Sequence, residues 1–397
     1  MGKLIEFTNG QVEESGLQKV NRKAKKHKTE RFYRIALVIL IVGAILTAYF
    51  VYEKTKVYTT YTVNSSVQRS KADGVTLLEF NGNILSYSKD GANAVDPAGK
   101  LLWNRTFDMQ SPLASISGGM AAFADYGGNV VYLQSESLES ATISTDMPIR
   151  QIAVAESGYV AAVLSDTDVT WIYLYDMNGS GIAYFRTTME KSGYPVTIDI
   201  SPNGELVCVS YYSLDCNDIK SSVAFFNFGP VGQNSIDNYV SGYNYSNILV
   251  PFVKFLDSQT AVAVSDERIS FYSGEHKPVS ISEMFIIDDI QSVYYGDGAV
   301  AVIYKEPAQD AKYRMEVYNN NGEISFQKKF DFDYAGVEIS KDSIVLYGDN
   351  NLYISTIAGN IKYEGTYESP ILMVAPTVAV NRYTVVTEDT IDTVEFD

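Results

Sequence analysis

The sequence predicts an all-β fold of repeated four-stranded units that follows a single transmembrane α-helix. From about Gly74 onward, short runs rich in Val, Ile, Tyr, Phe and Ala alternate with Gly, Asn, Asp and Ser turns every ~8–12 residues, a pattern typical of β-strands. Ahead of them, the run from Ile35 to Tyr52 has no charge and no Pro. As a helix this run would be about 27 Å long, close to the hydrocarbon thickness of a bilayer.

Two turns repeat along the strand-rich part. The first places an Asp between two strong strands, at Asp90, Asp125, Asp166, Asp215, Asp266, Asp310, Asp349 and Asp389. Successive spacings are 35, 41, 49, 51, 44, 39 and 40 residues, by subtraction of those positions. The second turn follows one strand later in several repeats and ends in Gly, as in Asp96–Gly99 and Asn319–Gly322. A repeat of about 40 residues with four strands is typical of a β-propeller blade.

Blade boundaries follow from these turns, at about 74–107, 112–145, 148–189, 194–245, 248–286, 288–330 and 334–367. The tail 369–397 supplies only three further strands. A fourth strand for it, on the outer edge, is available in Val57–Val63, within a stalk at residues 53–73. Joining the two chain ends in one blade removes free sheet edges, so eight blades are favoured and seven are the alternative. A pair of β-sandwiches explains the regular repeat less well.

Charge sets the predicted orientation of the anchor. Residues 1–34 hold nine Lys/Arg and four Asp/Glu, a net charge of +5, so residues 35–397 carry −22 of the chain total of −17. Basic residues beside a span stay in the cytoplasm, which predicts a cytoplasmic tail at 1–34, a span at 35–52 and an extracytoplasmic propeller at 74–397. The topology residues are Lys25, Lys26, Arg31 and Arg34, and the membrane-anchor residues are Ile35, Leu37, Ile41, Ile45 and Phe50. A cleaved signal peptide and a buried helix are the alternatives.

One repeat carries a more specific signature. Ala94 to Trp103, AVDPAGKLLW, resembles the A-x-D-x-x-x-G-K-x-x-W repeat of PQQ-like, quinoprotein-type β-propellers, one residue shorter between Asp96 and Gly99. The resemblance implies that Asp96, Gly99 and Trp103 dock neighbouring blades, with the Gly-Lys turn joining the two outer strands. The resemblance is specific for this one blade and supports the fold without implying an activity. Together with the predicted span, the chain is similar to single-span propeller proteins of Gram-positive bacteria and is expected to be a non-enzymatic, membrane-anchored member of the family.

Catalytic chemistry has few candidates. Quinoprotein dehydrogenases carry adjacent cysteines, whereas Cys208 and Cys216 lie eight residues apart; bridged or free thiols both remain open. His27 and His276 are the only histidines, too few for a triad or a His-rich zinc site. Pairs such as Asp288/Asp289 and Asp331/Asp333 are interpreted as turn residues, and the alternatives are a Ca²⁺ site or a rim-sited hydrolase that uses these carboxylates. We therefore expect no cofactor and no enzymatic activity.

Binding is the remaining function class. The chain has 30 Tyr, and the segment Gly229–Asn247 holds Tyr239, Tyr243 and Tyr245 with no obvious strand period. It is interpreted as an inserted loop of blade four and as the candidate partner loop, because tyrosines are common at binding surfaces. The expected partner of the scaffold is an envelope protein or a wall glycan; the acidic outer part would repel nucleic acid. A ligand sensor that signals through the N-terminal tail is the alternative.

Overall fold

The computed structural model of the protein describes residues 16–70, 74–137, 139–165, 169–187, 192–215, 218–306, 311–340, 343–377, 379 and 381–397. In its helix and strands, the side chains of residues 16–31, 49–50, 53–54 and 215 are outside this description. The chain divides into two compact units, residues 1–56 and Val57–Asp397.

The first unit contains one helix, α1 (Gly16–Thr55). It begins within the predicted basic tail and continues through the predicted span at 35–52, so the boundary at residue 34 is a change in composition inside one helix. Side chains 32–48 are exposed on every side of α1, as expected of a helix with no packed face. The hydroxyl of Thr47 donates to the carbonyl oxygen of Gly43 at 2.8 Å, which satisfies this polar group within the helix. Among the described residues, no helix meets the combined length and apolarity that membrane crossing requires.

The predicted anchor and topology residues lie on α1. Ile35, Leu37, Ile41 and Ile45 are exposed, as is Arg34. The side chains of Lys25, Lys26, Arg31 and Phe50 lie outside the described part of the chain. Their predicted roles stay predictions.

The second unit is built from eight antiparallel four-stranded sheets, the blades of a β-propeller. Blade one contains β2 (Thr76–Phe80), β3 (Asn83–Tyr87), β4 (Gly91–Val95) and β5 (Leu101–Thr106), and blade two contains β6 (Pro112–Ser117), β7 (Met120–Asp125), β8 (Val130–Ser135) and β9 (Ser140–Ser144). Blade three contains β10 (Ile149–Val154), β11 (Val160–Ser165), β12 (Thr170–Tyr175) and β13 (Gly181–Thr187). Blade four contains β14 (Tyr194–Ile200), β15 (Leu206–Asp215), β16 (Asp218–Asn227) and β17 (Tyr239–Ser246). Blade five contains β18 (Phe252–Phe255), β19 (Thr260–Val264), β20 (Arg268–Ser273) and β21 (Val279–Phe285). Blade six contains β22 (Ile290–Gly296), β23 (Ala299–Lys305), β24 (Tyr313–Asn319) and β25 (Ile324–Phe330). Blade seven contains β26 (Gly336–Ile339), β27 (Ile344–Gly348), β28 (Asn351–Ser355) and β29 (Ile361–Thr366). Blade eight combines β30 (Ile371–Pro376), β31 (Arg382–Thr387) and β32 (Thr390–Phe396) with β1 (Tyr61–Gln68).

Both chain ends close the ring. β1 pairs antiparallel with β32, from Tyr61 opposite Phe396 to Gln68 opposite Thr390, and forms the outermost strand of blade eight. The prediction of eight blades is confirmed and the seven-blade alternative is wrong. The closing strand begins at Tyr61, four residues later than the predicted Val57–Val63, and the Tyr61 ring stacks on Tyr367 at 5.2 Å.

The core lies between the blades. Each of the eight buried apolar clusters joins residues of two neighbouring blades, and together they account for all eight interfaces of the ring. The second strand of a blade is covered on both sides, which explains continuous apolar runs such as Thr260–Val264 and Ala299–Ile303. Alanines in these runs let neighbouring sheets approach closely. The first strands of most adjacent blades contact one another around the central axis.

Candidate functional site

The ring has two faces, which the turns of each blade define. Because the strands of a blade form an antiparallel meander, its turns alternate between the two ends of the strands. The first-to-second and third-to-fourth turns, such as 81–82 and 96–100 in blade one, form what we name the turn face. The second-to-third turns, such as 88–90, and the linkers between blades, such as 107–111, form the linker face.

The predicted docking residues lie at the start of the ring. Asp96 accepts hydrogen bonds from the backbone N–H groups of Ala98 and Lys100 at 3.0 and 2.8 Å and so closes the β4–β5 turn. Gly99 has a φ of +77°, and an added Cβ would lie 2.7 Å from Cγ1 of Val67 on β1 of blade eight. Trp103 is buried in the cluster between blades one and two, edge to face with Phe80. Thus the turn meets the preceding blade and the Trp103 ring the following one.

The same turn recurs without the tryptophan. In blade six, Asn319 accepts hydrogen bonds from the N–H groups of Asn321 and Glu323, and Gly322 packs against Ser282 and Phe271 of blade five. In each of blades one, three, six and seven the glycine of this turn faces the preceding blade. These turns are therefore blade-packing devices, and they account for the repeated Gly positions without any ligand.

The prediction that Gly229–Asn247 is a loop is wrong for almost half of its length, and its role in partner contact stays a prediction. Residues Tyr239–Ser246 form strand β17, the outermost strand of blade four, and only 228–238 is a turn insertion. Tyr243 accepts a hydrogen bond from the N–H of Ser280 at 3.0 Å, and the Tyr245 hydroxyl bonds that of Tyr272, so both side chains pack on blade five. Tyr239 stays 48% exposed. The sequence pattern conceals this strand because its apolar face is made of tyrosines rather than aliphatic residues.

The insertion itself is folded onto one buried side chain. Asn227 accepts a hydrogen bond from the Gly229 N–H at its side-chain oxygen and one from the Asn238 side chain at its carbonyl, and it donates to the carbonyl of His276, at 2.8 to 3.0 Å. The backbone of Gly232 lies so close that an added Cβ would sit 1.7 Å from the Asn227 carbonyl oxygen. The turn-face insertion is therefore an ordered feature that depends on Asn227 and Gly232.

Blade four also projects on the linker face, which the sequence did not reveal. Strands β15 and β16 have ten residues each, whereas the other described strands have four to eight. The pairing of β15 with β14 ends at Tyr212, and that of β16 with β17 ends at Lys220. Residues 213–215 and 218–219, named here the hairpin tip, extend beyond both neighbouring strands by about 10 Å at ~3.3 Å per residue.

Apolar side chains are exposed at this tip and beside it. Leu214 and Ile219 lie opposite each other in the β15–β16 ladder and are 59% and 38% exposed. With Leu249, Phe285 and Ile287, which are 40%, 76% and 97% exposed, they form what we name the hairpin patch. Exposed apolar groups that gather in one place, unlike single ones, mark interaction surfaces.

Hydrogen bonds and ring contacts make the hairpin patch continuous between blades four and five. The N–H of Asn247 donates to the carbonyl of Ile219 at 2.7 Å, which holds the linker containing Leu249 against the hairpin. The Arg268 guanidinium lies over the rings of both Tyr245 and Phe285, at 5.3 and 5.2 Å. The N–H of Ile286 donates to the carbonyl of Glu267 at 2.8 Å, which fixes the segment that exposes Ile287.

A signal for this projection lies in the repeat spacing. The two largest intervals, 49 and 51 residues, lie on either side of Asp215. The predicted loop puts all of the extra length after Gly229, whereas part of it lengthens β15 as far as Asp215 and begins β16 at Asp218. Leu214 and Ile219 continue the strand alternation at these ends of the two strands.

Charged groups line the central axis. Asp199 of β14 pairs with Lys254 of β18 at 2.9 Å and accepts the N–H of Phe255 at 2.7 Å. Desolvation lowers the pKa of Lys254, but the charges and hydrogen bonds of Asp199 and Tyr295 together leave that pKa above its ordinary value. Burial raises the pKa of Glu338 on β26, and so do the charges of Glu79 and Asp297. Apart from Asp297, these charged groups are held by the first strands of blades one, four, five and seven.

The other residues weighed as chemical candidates are scattered. Asp288 pairs with Arg314 at 2.6 Å and Asp333 with Lys312 at 3.2 Å. Cys208 is a buried free thiol whose pKa is raised by burial, while Cys216 lies outside the described residues, as do Asp166 and Asp310. His276 is exposed. Within the described ranges no three His, Cys, Asp or Glu side chains are grouped as a metal would need.

Solved structures similar to this chain share its fold. BamB from Moraxella catarrhalis is 11% identical, with a TM-score of 0.49, and the match covers 85% of this chain and 100% of that one. Apo AztD from Citrobacter koseri is 10% identical, with a TM-score of 0.51, over 77% of this chain and 93% of that one. The WD40 domain of coronin from Toxoplasma gondii is 11% identical, with a TM-score of 0.47, over 84% and 88%. At 10% identity, the match to AztD shows the fold alone.

No curated protein matches the sequence. Residues 54–396, which are all of the propeller and the end of α1, match a family described as a family of unknown function (DUF5711). The protein therefore belongs to that family.

Proposed function

We propose that this protein is a membrane-anchored, extracytoplasmic β-propeller that docks an envelope protein through the hairpin patch. The observation that carries the proposal is the pair Leu214 and Ile219, exposed at the tip of a hairpin that extends beyond its sheet. Contact of these two apolar side chains with water is unfavourable, and a partner that covers them removes that cost. The proposed role is binding without turnover.

The chemistry of the hairpin patch favours a protein over a wall glycan. Four of its five side chains are aliphatic, and the fifth, Phe285, already holds the Arg268 guanidinium against its ring. A glycan would bring hydroxyl groups against aliphatic carbons, which leaves those hydroxyls without hydrogen-bond partners. Apolar side chains of a protein partner fill such a surface at no polar cost.

The anchor is supported by the first unit. The run Ile35–Tyr52 is uncharged, and apolar side chains such as Leu37 and Ile45 are exposed around the helix, as lipid contact requires. The excess of Lys and Arg before residue 35 favours a cytoplasmic N-terminus. In this proposal α1 holds the propeller at the outer side of the cell membrane.

Two Asp substitutions at the hairpin tip test the docking role. In a Leu214→Asp/Ile219→Asp variant, charged groups replace the apolar contacts, so chemical crosslinking in intact membranes should lose the partner band by about tenfold or more. The partner is identified by mass spectrometry and then tested as a purified protein. The matched control, Val231→Asp/Ile236→Asp, changes two exposed apolar residues on the turn face. Equal crosslinking by both variants would refute docking at the hairpin patch.

The location is tested separately. In a Cys208→Ser/Cys216→Ser protein, which has no native thiol, a cysteine placed at exposed Ile236 should react in intact cells with a maleimide that cannot enter them. One placed near the N-terminus should react only after permeabilisation. The opposite pattern would contradict the proposed orientation, whatever the result of the crosslinking.

A further inference from the structure

We propose that the hairpin patch selects a cationic, amphipathic segment of its partner, one that presents apolar side chains flanked by Lys or Arg. This inference rests on the proposed docking function and adds the chemistry of the partner. It is carried by the charges that surround the hairpin patch.

Exposed carboxylates lie near the hairpin patch on the linker face. Asp218 precedes Ile219 in β16, Asp289 comes two residues after Ile287, and Asp266 with Glu267 lies in the β19–β20 turn of blade five. The Glu267 carbonyl accepts the Ile286 N–H at 2.8 Å, which places this turn directly beside Phe285 and Ile287. All four carboxylates are exposed, and none of them forms an ion pair within the described part of the chain.

Few cations offset them. Lys220 and Lys305 are exposed in the same region, and Arg268 is paired with Glu283 at 3.3 Å. Counting only the exposed side chains that the structure describes here, four carboxylates against two lysines give a net charge of −2 beside the apolar residues. A partner with the opposite arrangement gains Coulomb attraction at the rim and apolar burial at the centre, and electrostatic complementarity of this kind sets partner choice and association rate.

The same charge argues against a second copy of this chain as the occupant. Residues 35–397 carry −22, so two propellers meeting at these surfaces would bring carboxylates against carboxylates. A neutral or acidic partner segment would leave the four rim carboxylates without counter-charges.

Three synthetic helical peptides serve as probes. One carries Leu on one face and Lys on the other, the second replaces each Lys by Glu, and the third replaces each Leu by Ser. Binding to the full-length protein in lipid nanodiscs is followed by fluorescence anisotropy, with empty nanodiscs as the blank. The Leu/Lys peptide should bind at least tenfold more tightly than either of the others, and its affinity should fall as salt is raised.

Charge-neutralising variants localise the effect. Asp266→Asn/Glu267→Gln should weaken binding of the Leu/Lys peptide by about three- to tenfold and flatten its salt dependence. Asp237→Asn/Glu275→Gln removes the same charge from the turn face and should change nothing.

Equal binding of the Leu/Glu peptide, no binding of any peptide, or equal behaviour of the two variants would overturn the inference. If Leu214→Asp/Ile219→Asp still abolishes partner crosslinking in membranes, the proposed docking function survives that failure. If crosslinking also persists in that variant, both fall.

Discussion

Blade four projects from both faces of the ring, and the two projections differ in how they are held. The turn-face insertion, 228–238, folds back onto the buried Asn227, and its neighbour β17 packs Tyr243 and Tyr245 against blade five. The hairpin tip on the linker face is held by its own ladder and by the bond from Asn247 to Ile219, and it exposes Leu214 and Ile219.

This difference predicts which substitutions affect folding stability and which affect partner binding. An element whose polar groups are hydrogen-bonded and whose aromatic rings are packed within the protein contributes to stability, so its removal should destabilise the fold. An element that leaves apolar side chains exposed contributes little to the fold, and its exposed surface serves contact with another molecule. Substitutions in the two projections of blade four should therefore affect different measurements.

The largest expected loss of stability is at Gly232. A Gly232→Ala change places a Cβ 1.7 Å from the Asn227 carbonyl oxygen, and since backbone cannot move aside cheaply, we expect a loss of about 2–3 kcal/mol in the free energy of unfolding. Urea denaturation of the full-length protein in detergent measures it. Gly181→Ala is the control, because no atom lies within 4 Å of its added Cβ. A Gly232→Ala protein as stable as the control would contradict the ordered insertion.

A smaller loss is expected at Asn227. The Asn227→Ala side chain can neither accept from Gly229 nor donate to His276, and the groups left unpaired cost about 1–3 kcal/mol. Limited proteolysis should then cut between 228 and 238 while crosslinking through the hairpin patch persists. Loss of crosslinking together with cleavage would show that the two projections are coupled and would contradict their independence.

The axis offers a change remote from both projections. Burial raises the pKa values of the Glu79 and Glu338 carboxyl groups in the folded state. In the unfolded state these groups lose their protons near the ordinary Glu pKa of about 4.3, whereas in the folded state they keep them to higher pH. Their contribution therefore lowers stability as pH rises through the folded-state pKa values. Glu79→Gln/Glu338→Gln should reduce the fall in urea midpoint as the pH is raised from about 4.5 toward neutrality, whereas Glu275→Gln should not. An unchanged pH slope in the double variant would refute the assignment.

The smallest effect is expected at the base of the projecting hairpin. Cys208 on β15 is buried, and burial raises the pKa of its thiol, so little reactive thiolate is present. In a Cys216→Ser protein, which leaves one thiol, maleimide labelling at pH 8.5 should be negligible in the native state and complete in urea. Native labelling at the rate of the unfolded chain would show that β15 opens, and the hairpin would then be a mobile element.

The repeat spacing predicted the blades, because one strand-turn period produces each sheet and both sides of each second strand are buried. Closure by the N-terminal strand was predictable from the three-stranded tail. The candidate site could not be predicted from the sequence. Extra length in blade four could be assigned to either projection, and tyrosine content does not distinguish a Tyr245 that packs inward from a Tyr239 that faces solvent. Exposure depends on pairing partners that are distant in the chain.

Docking through the hairpin patch can be decided by site-specific photocrosslinking in living cells. A photoreactive amino acid replaces Ile219 in one strain and Ile236 in another. Both positions are exposed; Ile219 lies on the linker face of the ring and Ile236 on the turn face. If the hairpin patch is the docking surface, position 219 should yield a discrete protein adduct and position 236 none. An adduct from position 236 alone, or from neither position, would contradict docking at the hairpin patch.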